Sequence, residues 1–217
     1  MSHTINYCTK QDLYNFINTL RKALKIENQE FPINLYEVCK NIKSIKIALV
    51  NFSDKSLRGM AFPKDKIILL NSNRNPKELN FDCSHELIHI VKHRNQETQS
   101  FNCTDSIKDS QNSYLEWQAN EGAAELLVPY KKFIPLLCKG LDNISTSMEF
   151  DNLKSMLATY FNVPDTVIKL RINNLSHEII QFQKGVDIDF IELKSTTQLK
   201  KEGTPIYSLN TYYEFMS

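Results

Sequence analysis

His85-Glu86-Leu87-Ile88-His89 is the stretch on which the reading of this chain turns. Two histidines four residues apart lie one helical turn apart on the same face. That spacing lets both imidazoles reach one metal ion at about 2.0–2.1 Å, the distance zinc takes to nitrogen. Glu86 sits about 100° further round the helix. It is placed to meet a water on the metal, the position of the general base in a zinc peptidase. Asn75 can cap this helix, Pro76 suits its first position, and Glu78 puts a negative charge in the first turn. The spacing predicts a helix from Pro76 to about His93. Leu87, Ile88, Ile90 and Val91 project opposite the histidines, so one side is expected in the core and the other on a polar cleft.

A catalytic zinc site takes three protein ligands and leaves a fourth position open. The third is expected from a second helix, Tyr114 to Val128 (YLEWQANEGAAELLV). With Glu116 as reference, Ala119, Asn120, Ala123 and Leu127 fall within about 60° of it, while Glu121 and Glu125 lie about 140–180° away. A carboxylate on the partly apolar Glu116 face is costly unless it has a partner, which makes Glu116 the candidate ligand. The opposite face, with Glu121 and Glu125, reads as solvated. Asn120, one turn after Glu116, is a candidate to accept the free N–H of a ligating histidine. His93, Tyr114 and Tyr130 are candidates for a transition-state donor. His93 is too far along the axis from His85, about 12 Å, to share the ion.

The two segments together resemble the ImmA/IrrE metallopeptidases. The resemblance rests on Phe81, His85, Glu86 and His89, then Glu116, Trp117, Ala119, Asn120, Ala123, Ala124, Glu125, Leu126, Leu127 and Pro129, and extends over residues 30 to 175. It implies a gluzincin-like α+β fold, with zinc held by His85, His89 and Glu116 and with Glu86 catalytic. It also implies a protein substrate, a helix-turn-helix repressor cleaved in the cytoplasm. Two positions depart from the family pattern. Ile88 stands where the usual H-E-L-G-H has glycine, and Gly122 where an aromatic usually follows A-N-x. Gly122 is expected to weaken its helix by about 1 kcal/mol relative to alanine.

The rest of the chain frames this centre. With 217 residues the chain can bury a substantial core, and a net charge of +1 gives no support to direct nucleic-acid binding. Five scattered cysteines without a C-x-x-C pair fit free thiols in a reducing compartment. Cys83, on the apolar side of the metal helix, reads as core. The first ten residues hold no apolar run of signal-peptide type, and no stretch approaches a membrane span; the expectation is a cytoplasmic protein without membrane contact. Residues 10–26 and 33–43 carry helical periodicity, with Thr9 a candidate cap and Asp12 three positions on. Residues 45–51, 57–63 and 66–71 read as strands of a small antiparallel sheet. Residues 94–113 read as a long polar loop rimming the cleft. Residues 149–161 and 164–175 read as helices packed beneath the site, although Lys169 and Arg171 admit a weaker DNA-binding reading. Residues 1–175 are expected to form the zincin-like domain, and residues 176–217, with short apolar runs punctuated by Gly185, Gly203 and Pro205, a small β-rich appendage. An alternative to the peptidase is a non-proteolytic regulator that binds and sequesters a repressor; the intact Glu86 speaks against it, since binding alone needs no base.

Overall fold

The computed structural model describes residues 7–96, 98–104 and 112–214. Helix α1 (Lys10–Ala23) begins on a capping box: the Thr9 side chain accepts from the Asp12 amide, and Asp12 reaches back to the Thr9 amide. Leu13, Tyr14 and Ile17 turn into the core. After the short α2 (Leu35–Lys40) come β1 (Lys46–Val50), β2 (Leu57–Phe62) and β3 (Ile67–Asn71). Helix α3 (Pro76–Lys92) carries the histidine pair, and its start is as expected, with Asn75 and Glu78 forming a reciprocal capping box and Pro76 in the first turn.

The sheet corrects two expectations. A fourth strand, β4 (Phe101–Thr104), arises inside the run read as a polar loop and pairs antiparallel with β2. Phe101 and Cys103 alternate inward there, a pattern of period two over only four residues. The strand order is β1-β3-β2-β4, and β1 pairs with β3 in parallel, so the sheet is mixed. Successive strands do reverse direction, but β1 passes over β2 to lie beside β3. A hydrophobic pattern marks the strands but does not give their order in the sheet.

Helices α4 (Ser113–Leu127), α5 (Tyr130–Leu141), α6 (Ser147–Phe161) and α7 (Asp165–Asn174) complete the body around α3. α3 lies between the sheet and α4. Every residue from Asn80 to Ile90 is buried, whereas Val91 is partly exposed. The histidine face of α3 is therefore enclosed by protein, not turned to an open polar cleft as the sequence suggested.

The β-rich appendage is also corrected. Residues 176–214 form α8 (Ser176–Gln183), α9 (Thr196–Lys201) and α10 (Leu209–Glu214), with no strand among the described residues. The Ile179-Ile180 pair carries β propensity, yet Leu175, Ile179 and Phe182 recur at helical spacing and pack on the core. Ile191 and Leu193 anchor the extended stretch that follows. No helix among the described residues is long and apolar enough to cross a membrane.

Candidate metal centre

α3 delivers His85 and His89 one turn apart, and α4 delivers Glu116 opposite them. The two Nε2 atoms are 3.1 Å apart. Glu116 Oε2 lies 3.4 Å from His85 Nε2, and its Oε1 lies 3.7 Å from His89 Nε2. Donors at zinc bonding distance in a tetrahedron stand about 3.3 Å from one another, so these residues fit a single small cation. All three side chains are almost wholly buried.

The outer nitrogens of both rings are engaged. His85 Nδ1 faces Asn120 Oδ1 at 3.0 Å. His89 Nδ1 faces His93 Nδ1 at 2.9 Å, and His93 Nε2 faces Gln118 Oε1 at 3.4 Å. With protons on the outer nitrogens, the relay sets the tautomers that leave both Nε2 lone pairs free. The structure thus puts His93 behind His89, on the side away from Nε2, and adds Gln118, which the sequence reading missed. The signal was present: His93 repeats the four-residue step from His85 to His89.

The other two donor candidates lie elsewhere. The Tyr114 hydroxyl is tied to the backbone of Cys8, accepting from its amide and donating to its carbonyl at 3.0 Å. Tyr130 packs against Tyr14, with ring centroids 5.7 Å apart.

Glu86 is fully buried, and neither of its carboxylate oxygens has a hydrogen-bond partner among the described residues. It fits because β2 carries a glycine at the point of closest approach. A Cβ on Gly59 would stand 2.8 Å from Glu86 Oε1. Behind Glu86, Asp82 is clamped between Arg58 and Arg74. The strand β4 covers the centre from the sheet side: Phe101 stacks on His89 at 4.1 Å between centroids, and Cys103 lies beside His85 and Glu86.

Burial sets the direction at Glu86, His89 and His93 and is outweighed by neighbouring groups at His85, which is raised, and at Glu116. It lifts the Glu86 pKa to about 8, reinforced by Glu116 and Asp82 and opposed by His85. Burial also lowers His89 to about 3 and His93 to about 4, keeping both rings neutral, the state a ligand requires. Burial alone would raise Glu116, but hydrogen bonds from His85 and His89 outweigh it and hold the carboxyl at about 2.

A pH dependence follows. In the metal-free folded chain Glu86 keeps its proton up to about pH 8, while an unperturbed glutamate releases it near 4.5. Between those values the folded state binds more protons than the unfolded state, so stability falls as pH rises. The contribution of Glu86 is fully present below pH 4.5 and lost by about pH 8, at most on the order of 4–5 kcal/mol. Between pH 6 and pH 8 the metal-free wild type is expected to lose about 2–3 kcal/mol relative to Glu86→Gln, measured by chemical denaturation.

A model of the IrrE N-terminal-like domain of the M78 peptidases matches residues 41–173, which run from β1 through α7 and include every residue of this centre. The chain belongs to the IrrE N-terminal-like family. No curated protein matches it. Among solved structures, a Mycobacterium tuberculosis transcriptional regulator is similar at 16% identity and a TM-score of 0.53, covering 76% of this chain and 47% of that one. The likeness is one of fold, and the matched part is about half of that protein's length.

The two departures from the IrrE-family pattern prove to be neighbours. A Cβ on Gly122 would meet Ile88 Cγ1 at 3.4 Å and Ile17 Cδ1 at 3.3 Å. Ile88, on α3, fills the space that a side chain at position 122 would take on α4. Gly122 lets Ile88 of α3 and Ile17 of α1 pack directly on α4.

Proposed function

We propose that this chain is a zinc-dependent endopeptidase that cleaves a regulatory protein in the cytoplasm, a helix-turn-helix transcriptional repressor being the substrate class. The observation that carries the reading is Glu86. A buried carboxylate without a partner is expensive, and this one stands beside three donors spaced for one ion. Structural packing does not need a charge there, whereas proton transfer at a metal does.

When bound, zinc would be held by His85, His89 and Glu116 and would supply Lewis acidity and an acidified water. Glu86 takes the proton from the attacking water and returns it to the leaving amine. Asn120 fixes the His85 ring and His93 the His89 ring, with Gln118 holding His93 in turn. The repressor as substrate rests on the resemblance to the family.

The protein as purified is expected to hold one equivalent of zinc. Glu116→Ala should weaken binding by more than the roughly 10–100-fold that loss of an outer-shell partner causes, measured by competition with a chromophoric chelator. Co-expression with the product of the neighbouring gene tests the substrate. Fragments that vanish when a chelator is added support cleavage; a stable uncut complex supports sequestration instead.

A further inference from the structure

A cavity of about 440 Å³ lies where the segment before α1 meets α4, the end of α7 and the start of α9, and its size is usual for a small-ligand site. None of His85, Glu86, His89 and Glu116 lines it. Tyr7, Lys10 and residues 195–197 do, and they lie outside the matched residues 41–173, so the cavity is not part of the shared metal centre. One wall is aromatic. Tyr7, Tyr114 and Trp117 stand in series, with ring centroids 5.9 Å and 5.8 Å apart and planes 16° from parallel at each step. The Tyr114 hydroxyl holds the Cys8 backbone, which keeps Tyr7 in the row. The floor is charged but closed. Lys10 gives its three protons to the carbonyls of Asn174 and Lys194 and to Glu178. Glu121 accepts from Tyr14 and Arg171 on one oxygen and from the Asn174 amide on the other. Neither charge is left to hold an ion. The cavity offers instead a π surface, the side-chain oxygen of Asn174 and the exposed hydroxyls of Thr196 and Thr197.

We propose that this cavity binds a neutral nucleoside, with its base laid against the Tyr7, Tyr114 and Trp117 wall and its polar edge and ribose hydroxyls bonded to Asn174, Thr196 and Thr197. Each part of the cavity selects for that class. Every nucleobase has a π face, so an aromatic wall gives it affinity whatever its identity. A sugar alone needs free carboxylate or amide oxygens to accept its many hydroxyl protons, and both oxygens of Glu121 are already taken. A phosphorylated ligand needs a cation to spare, and Lys10 has no proton left to give. The occupant would bridge the segment before α1, the first turns of α4 and the start of α9. It would therefore tie residues 195–197 to the helix that carries Glu116. The proposal stands apart from the peptidase reading and does not depend on it.

Trp117 is the only tryptophan in the chain, so its emission reports on this wall directly. Adenosine, guanosine, cytidine and uridine are titrated separately into the full chain, with ribose and adenosine monophosphate as comparison ligands. Calorimetry follows the same binding free of light absorption by the ligand. At least one nucleoside is expected to quench the emission saturably, with a heat of binding that gives the same Kd. Tyr7→Ala should weaken that binding by about 5–150-fold, the share of one aromatic stacking partner. Tyr7 is half-exposed, so little of the core depends on it; Tyr7→Leu, which keeps apolar bulk and loses the ring, is the second variant. No saturable response to any of the four nucleosides overturns the proposal. Binding that is unchanged in both Tyr7 variants overturns it as well, since the ligand then sits elsewhere. Ribose binding as tightly as the nucleoside removes the role of the wall, and adenosine monophosphate binding more tightly than adenosine removes the neutral ligand.

Discussion

Glu86→Gln is expected to retain zinc at one equivalent and to lose cleavage of the repressor by about 10²–10⁴-fold in kcat, the share that a positioned general base contributes. Glutamine is the informative replacement because it keeps the shape that Gly59 accommodates. An alanine would open a cavity beside the metal and mix a packing defect with the chemical one. The amide cannot accept the proton of the attacking water, while His85, His89 and Glu116 keep their geometry. The same substitution is expected to make the metal-free protein more stable near pH 8, since it removes a carboxylate whose ionisation is opposed by burial. The two effects have opposite signs, so a variant that is inactive through misfolding is distinguished from one that is inactive through loss of the base. The comparison requires equal metal content. If metal-loaded Glu86→Gln cuts as fast as the wild type, Glu86 is not the base.

What the sequence reveals and what it hides divide along physical lines. The metal helix, its caps and the histidine pair are local: Asn75, Pro76, Glu78, His85 and His89 lie within five turns of one another. The side chain of Asn120 on His85 is legible for the same reason, as it sits one turn from Glu116. The second helix shows the limit. A helical wheel separates Glu116 from Glu121 and Glu125 correctly, but it cannot say what covers the other face. That face is not solvated as expected, because α1 packs on α4 and Arg171 of α7 reaches it. The cation that makes two buried glutamates tolerable lies 50 and 46 residues away in sequence. Arg171 was weighed as a DNA contact; it is wholly buried, so that reading fails for it. β4 escaped detection because four residues with one phenylalanine and one cysteine barely register as a pattern, and its meaning comes from what lies beneath it. The C-terminal helices were misread because β-branched residues in a short segment mimic a strand when the helical partners, such as Leu175 for Ile179, fall outside the window.

Arg171→Met is expected to destabilise the metal-free protein by about 3–5 kcal/mol, the range for removing one partner from a buried ion pair. Methionine keeps most of the volume, so the loss reports charge and not a void. Arg171 donates to the Val128 carbonyl at 3.0 Å, to Glu121 Oε1 at 2.8 Å and to Glu125 Oε2, and contacts the Tyr14 hydroxyl, which in turn donates to Glu121. Without it Glu121 retains Tyr14 and Asn174, and Glu125 retains the Tyr130 amide. Those neutral donors do not balance the Glu121 carboxylate, while burial already lifts Glu125 to about 7 and leaves it to take up a proton once the arginine is gone. Set against a total stability of roughly 5–15 kcal/mol, the loss would lower the unfolding midpoint by about 6–20 °C. Replacing all three groups together, as Arg171→Met with Glu121→Gln and Glu125→Gln, should recover most of it, because the penalty belongs to the unpaired buried acids and not to the absence of the arginine. Denaturant unfolding of the two variants beside the wild type separates these cases. The consequence reaches the candidate metal centre through α4, which presents Glu116 to His85 and His89 on one face and Glu121 and Glu125 to Arg171 on the other. A helix clamped on its far face holds its ligand in register, so Arg171→Met should also weaken zinc binding while the triple variant restores it. Equal zinc affinity in all three proteins would mean that the ligand geometry is set by α3 and the sheet alone, and that the buried arginine serves folding only.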